Sequence, residues 1–319
     1  MKIVICGLWH VHAEIYYRDA IPFAEILGVY DEDKQRREEF AARFGTHAFG
    51  SMEELLESGA DGAIVCTSTD THTETILRLV EAGMDIFSEK VLALTEEECD
   101  RIADAVQKKG VRFVISLPHK YNAGQRTVKM VADSGELGRI NYFRYRNVHS
   151  GSAEDWLPEH FYERKTCGGG AMIDLGAHGM YLADWFCGVP EKVTSMFSTV
   201  CSRPQVQAKN RDKVEDNAIT MMKFADGCIA INETGFVSMG SPIELEVGGE
   251  EGFVTFNSLT NKVIKNVKAT GEMPVEVELC PALPSPLQQF CTGEILEGCG
   301  IEEARRLTHL MVMAYQNAQ

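Results

Sequence analysis

Residues 2–12 read KIVICGLWHVH: an apolar run, a glycine, and a polar turn leading into the helix-like HAEIYYRDA of residues 12–20. A strand that meets a glycine and passes into a helix is how a dinucleotide-binding site begins. In such a loop the second and third glycine positions would fall on Trp9 and His12. Three readings are open at this point: an altered nucleotide loop, a metal-binding His10-x-His12 pair, or a plain turn.

The flanking sequence repeats the pattern. AEILGVYD (24–31), DGAIVCT (61–67), MDIFSEK (84–90) and VRFVISL (111–117) are near-continuous apolar runs, as suits parallel strands buried on both faces. Between them lie EDKQRREEFAARFG, THTETILRLVEAG and TEEECDRIADAVQKKG, with helical apolar spacing and a terminal glycine. Thr95 followed by Glu98 is a capping-box pattern. This alternation predicts an α/β, doubly wound parallel-sheet (Rossmann) domain over residues 1–117.

After residue 117 the rhythm changes. GQRTVKMVADSGELG reads as helix, RINYFRYRNVHS as strand, and GGGAMIDLGAHGMYLADWFCG as helix. Strand-like runs then dominate from about residue 190, with ADG at 225–227 as a hairpin signal, before a closing amphipathic helix. Residues 118–319 are therefore expected to form an α+β domain with a largely antiparallel sheet.

With 319 residues, 45% hydrophobic and 24% charged, the chain has the composition of a two-domain globular protein. A net charge of −16 argues against nucleic acid or anionic membrane as partner. No apolar run approaches the ~20 residues of a spanning helix. The ten cysteines show no C-x-x-C spacing, and several lie in apolar runs, so a reducing, cytoplasmic setting and no structural zinc are expected.

Three segments carry candidate chemistry. Asp31 lies 24 residues after Gly7, near the spacing at which a carboxylate accepts the ribose hydroxyls of NAD. With Glu32 and Asp33 beside it, this pattern favours NAD over NADP, although Lys34 and Arg36 are near, and DEDK also reads as a solvated helix start. Lys90 ends a strand at the carboxyl edge of the predicted sheet, where it can meet a substrate hydroxyl or simply face water. Asp174 and His178 are four residues apart, one helix face, and a histidine beside a carboxylate suits general-base work; a structural pair or half of a metal site are the rival readings.

Together these segments resemble the glucose–fructose oxidoreductase / inositol dehydrogenase / rhizopine-catabolism (Gfo/Idh/MocA) family. EKVLALTEEE at 89–98 is similar to its E-K-P signature and the helix behind it, CTSTDTHTETILRLVEAG to its fourth strand and helix, and GGGAMIDLGAH to its second-domain helix. KYNAGQRTVKMVADSGELGRI and the C-terminal QQFCTGEILEG…AYQNA extend the likeness over nearly the whole chain. The resemblance implies NAD(P)-dependent hydride transfer to or from a secondary alcohol or ketone of a sugar, polyol or similar molecule. It implies Lys90 at the reacting hydroxyl, His178 as general base and Asp174 orienting both.

The expected cofactor-binding set is Gly7, Trp9, His10, Val11, Asp31, Thr67, Ser68, His72, Glu89 and Lys90. Lys120, Trp156, His160, Tyr162 and Arg164 are substrate-contact candidates, and no metal is assigned. A homodimer or homotetramer through the second-domain sheet is also implied. Val91 stands where the family has proline, and Ser68-Thr69 where PN is common. Trp9 is expected to turn away from the phosphates, and His10 or His12 to lie near the nucleotide or the pocket mouth.

Two other classes compete. A metal-dependent hydrolase would use His10 and His12, with His72 and Asp70 as further ligands. A catalytically silent nucleotide or sugar sensor would explain the altered loop.

Overall fold

The computed structural model describes residues 1–239, 243–271 and 273–319. The chain divides into two compact units, Met1–Leu117 with Pro284–Thr308, and Pro118–Leu283 with His309–Gln319. Pro284–Thr308, which the sequence reading placed in the second domain, belongs to the first unit.

In the first unit, β1 (Lys2–Cys6), β2 (Glu25–Tyr30), β3 (Gly62–Val65), β4 (Asp85–Ser88) and β5 (Phe113–Ile115) form a parallel sheet in the order β2-β1-β3-β4-β5. Ile3, Val4, Ile5, Ala63, Ile64 and Val65 are fully buried, which is why these runs do not alternate. Each large aliphatic among them contributes about 1.5–3 kcal/mol of burial. Beyond β2 a one-residue parallel bridge joins Val29 to Ala48, with Val29 N–H donating to His47 O and Phe49 N–H to Val29 O, both at 2.9 Å. Counting that bridge as a strand, the order becomes the 3-2-1-4-5-6 of a Rossmann sheet.

The connecting helices are α1 (His12–Ala20), α2 (Lys34–Phe44), α3 (Met52–Leu56), α4 (Thr69–Glu81) and α5 (Glu96–Lys109). Asp33, Ser51 and Thr95 cap α2, α3 and α5 by accepting a backbone N–H three residues on. Gly45 and Gly110 end α2 and α5 in the left-handed region.

In the second unit, β6 (Ile140–Val148), β7 (Lys192–Ser198), β8 (Asn217–Lys223), β9 (Ile229–Gly235), β10 (Glu244–Gly249), β11 (Gly252–Asn257), β12 (Lys262–Val267) and β13 (Val275–Val277) form one sheet. Its order is β13-β12-β11-β10-β6-β9-β8-β7, antiparallel throughout except for the parallel β6–β9 pair. The ADG turn joins β8 to β9 as expected, with Gly227 at φ +89°. Helix Ala177–Cys187 packs on β6 and β9, and helix Ala123–Asp133 on β10, β11 and β12.

The alternation of β8 exposes Ile219 and Met221 while burying Ala218, Thr220 and Met222. Exposed Met196 and Ile229 lie on the flanking strands. Arg144 and Arg146 of β6 pair with Glu233 of β9 at 2.5 and 3.4 Å. All ten cysteines are free thiols. Among the described residues no helix is long and apolar enough to cross a membrane.

Candidate functional site

The loop after β1 and the ends of β2 and β3 enclose a cavity of about 310 Å³ in the first unit. Gly7, Trp9, Asp31, Thr67 and Ser68 of the expected cofactor set line it, together with Glu32, Asp33 and Arg36. Trp9 borders the cavity. Gly7 sits at φ +89° and donates its N–H to Tyr30 O at 2.8 Å. A Cβ there would lie 2.4 Å from the backbone nitrogen of Thr67.

Gly7→Ala should accordingly strain the loop by about 1–3 kcal/mol from φ alone. We expect it to weaken NADH binding at least about tenfold in a calorimetric titration. Unchanged binding would mean that this turn does not form the cofactor seat.

Asp31 holds the loop in place. Its Oδ2 accepts the Leu8 N–H at 2.6 Å, and its Oδ1 the Asp33 N–H at 2.9 Å. The Arg36 guanidinium lies 3.3 Å from Oδ2. The carboxylate thus ties β2 to the turn after β1 while bordering the cavity, the position from which it can accept ribose hydroxyls. Backbone turn, carboxylate and cavity fit the adenosine end of a dinucleotide, despite the absence of the second and third loop glycines.

His72 is placed differently from the expectation. It is 1% exposed, and its Nδ1 and Nε2 each lie 3.2 Å from a main-chain oxygen, of Leu92 and Thr67. Burial lowers its pKa, favouring the neutral ring. His72 braces the turn that follows Lys90 and does not line the cavity.

A second group gathers where α1 meets the end of β4. His10, Glu89 and Lys90 are buried, while Val11 at the N-terminus of α1 is 48% exposed. The Lys90–Val91 peptide bond is cis. The Glu89 carboxylate meets His12 Nδ1 at 3.3 Å and accepts the Tyr16 hydroxyl, which also contacts Ser116 Oγ at 2.8 Å. Burial pushes the Glu89 carboxyl up, but the imidazoles of His10 and His12, the His12 hydrogen bond and Lys90 outweigh it and hold it well below the usual range. Tyr16 carries no sequence signal beyond its helical register.

In the second unit, residues 172–176 form a π-helical turn that runs directly into helix Ala177–Cys187. Asp174 is in the π turn and His178 in the α-helix, so their spacing is not that of a plain helix. His178 is 7% exposed, and its Nδ1 lies 2.9 Å from the Tyr181 hydroxyl. That oxygen also accepts the His119 N–H at 3.2 Å, and the His119 ring stands edge-on to His178 with centroids 4.5 Å apart. Either partner can donate in the His178–Tyr181 contact, according to which ring nitrogen carries the proton. The charge of Asp174 acts on His149, whose pKa burial lowers and Asp174 raises. Tyr181 was within reach of sequence reasoning as the i+3 neighbour of His178.

Glu215, buried, anchors this helix start. Its Oε1 accepts the N–H groups of Gly170 and Met172 at 2.8 and 3.1 Å and the Tyr315 hydroxyl at 2.6 Å. A carboxylate at a helix N-terminus also suits the helix dipole.

The substrate-contact candidates separate. Lys120 is buried with Nζ 5.8 Å above the Trp185 ring. Trp156 is 53% exposed, and His160 is half-buried beside Phe161. Tyr162 is a correction: it is 1% exposed in a core cluster with Phe161, Val206 and Phe236, its hydroxyl on Ser152 Oγ at 2.8 Å. The Arg164 side chain is exposed, and its backbone N–H is held by Asp212 at 2.8 Å.

Comparison with known proteins agrees with this geometry. Residues 1–117 match the oxidoreductase family with an NAD-binding Rossmann fold, and residues 125–255 the GFO/IDH/MocA C-terminal domain. The chain is 26% identical over 255 residues to scyllo-inositol 2-dehydrogenase (NAD(+)) of Bacillus subtilis, covering 79% of this chain and 72% of that one. It is 26% identical over 258 residues to levoglucosan dehydrogenase of Pseudarthrobacter phenanthrenivorans, covering 75% of this chain and 66%, just under two thirds, of the relative.

Among solved structures, levoglucosan dehydrogenase in complex with NADH and levoglucosan superposes with a TM-score of 0.84 at 20% identity, covering 99% of this chain and 96% of that one. Aldose-aldose oxidoreductase from Caulobacter crescentus gives 0.82 at 17%, covering 99% and 97%. These likenesses carry the fold. With both of its units matched by models of one family, the chain belongs to the Gfo/Idh/MocA family of oxidoreductases.

Proposed function

We propose that the protein transfers a hydride between NAD and a secondary alcohol or ketone of a polyol, sugar or similar small molecule, with His178 as general base. The observation that supports this most directly is the buried His178, whose Nδ1 is held 2.9 Å from the Tyr181 hydroxyl. In the alcohol-oxidising direction, its imidazole would remove the hydroxyl proton as the carbinol carbon loses hydride and the C–O bond becomes a carbonyl. Bound NAD supplies the hydride acceptor, nicotinamide C4. Lys90 would hold the reacting oxygen and stabilise negative charge on it, and Asp174 would orient the substrate. Gly7, Asp31, Thr67 and Ser68 would seat the cofactor.

NAD is favoured over NADP because Asp31, Glu32 and Asp33 all border the cavity, against one cation, Arg36. A 2′-phosphate there would meet net negative charge. Titration should give at least about tenfold tighter binding for NADH than for NADPH, about 1.4 kcal/mol. Glu32→Gln removes one carboxylate and should narrow that ratio. If neither cofactor binds at sub-millimolar concentration, the dehydrogenase reading falls. NADH binding without turnover on a polyol and sugar panel would instead favour a sensor. We also infer self-association through the exposed Met196, Ile219 and Met221 face, which a monomer mass by light scattering would remove.

A further inference from the structure

We propose that His10, His12 and Glu89 form a binding site for a divalent transition cation of the zinc or cobalt type, joining the loop after β1 to the end of β4. One ring nitrogen of each histidine and one carboxylate oxygen lie within 4.8 Å of one another. Around a tetrahedral cation with bonds of about 2.0–2.1 Å, donors stand about 3.3–3.4 Å apart. The His12 Nδ1–Glu89 Oε2 pair is already at 3.3 Å.

The second, independent observation is on Glu89 itself. The residue is 1% exposed, and its Oε1 is sealed from solvent with no hydrogen-bond partner. An unsatisfied carboxylate oxygen in that position is unfavourable, and a cation held by both carboxylate oxygens, Oε2 beside His12 and Oε1, satisfies it. Tyr16 and Ser116 complete the arrangement, since the Tyr16 hydroxyl bonds Glu89 Oε2 and so orients the carboxylate. Two imidazoles and one carboxylate select borderline transition cations over magnesium or calcium, which prefer all-oxygen sites. Three protein donors leave a coordination position open to water or to a ligand atom.

The ligand set differs from the one the sequence suggested for a metal centre, because His72 is committed to main-chain oxygens and Glu89 takes its place. The proposal implies no hydrolytic activity and does not rest on the hydride-transfer reading, since its test reads metal binding alone.

The full-length chain, stripped with a chelator, is titrated with Zn²⁺ by calorimetry and with Co²⁺ by visible absorption. One equivalent should bind with micromolar or tighter affinity, give the ligand-field bands of a four- or five-coordinate cobalt centre, and raise the melting temperature. His12 is half-buried, so His12→Ala should fold; it and Glu89→Gln are each expected to weaken Zn²⁺ binding at least about tenfold. Tyr16→Phe, which keeps all three donors, should bind with an intermediate loss. Absence of binding at sub-millimolar Zn²⁺, or a loss smaller than tenfold in His12→Ala, overturns the proposal. Either result would leave the cluster as a histidine–carboxylate ion pair.

Discussion

Replacing His178 by alanine is expected to lower kcat by about 10²–10⁴-fold while leaving the NADH dissociation constant within twofold. The two halves of that expectation have separate grounds. The proton acceptor is the only part of the proposed reaction that His178 supplies, so its loss removes general-base catalysis and not hydride acceptance. Every residue that lines the cavity proposed for the cofactor belongs to the first unit, and His178 belongs to the second. Its substitution therefore leaves the cavity's own side chains intact.

The partner of His178 offers a finer test. Tyr181→Phe removes the hydroxyl that Nδ1 meets at 2.9 Å, so it should retain part of the activity and shift the pH profile of kcat/KM. A contact that only filled space would leave the profile in place. Steady-state kinetics on an oxidised polyol, with NADH titrations of each variant, measures both effects. Loss of NADH binding in His178→Ala would reassign the residue to the cofactor, and near-normal kcat would remove it from the chemistry.

The five strands of the first sheet were legible because their runs are near-continuously apolar, as strands covered on both faces of a parallel sheet are. The bridge at Ala48 was not, since a single residue paired to Val29 leaves no periodicity. Gly28 marks it only afterwards: a Cβ there would lie 2.7 Å from His47 O. Asp31 was found by spacing from Gly7, but its bond to the Leu8 N–H depends on how the turn folds back. Tyr162 looked like a pocket residue because it lies in a polar loop, yet Ser152 satisfies its hydroxyl and permits full burial. The π turn at 172–176 was equally hidden. It is held by Glu215, more than 40 residues further on, whose carboxylate takes the N–H groups of Gly170 and Met172. The Pro284–Thr308 return to the first unit likewise left no mark in composition.

The glycine run before that turn carries the largest expected effect on stability. Three successive glycines, 168–170, leave room for a close approach. The approaching groups are the protein's own: a Cβ on Gly170 would lie 1.9 Å from the Glu215 carbonyl oxygen, and one on Gly169 1.9 Å from the Tyr315 hydroxyl. Backbone cannot swing aside as a side-chain tip can, so Gly170→Ala must push the 170–172 segment away from Glu215. That displacement breaks the Ala171 N–H bond to Glu215 O at 2.8 Å and strains the carboxylate bonds to Gly170, Met172 and Tyr315.

Losing two or more buried hydrogen bonds together with a backbone clash costs about 4 kcal/mol or more. For a unit of this size that is a fall in melting temperature of about 10 °C, or failure to accumulate as soluble protein. Gly248→Ala provides the comparison, because its added Cβ would meet Tyr142 at an ordinary 3.4 Å and its φ is not in the left-handed region. That variant should melt within about 3 °C of the parent, the shift a change of ~1 kcal/mol produces. Circular dichroism melts of the two variants side by side decide the matter. A Gly170→Ala protein that melts with the parent would show that the Glu215 carboxylate does not fix the start of the His178 helix.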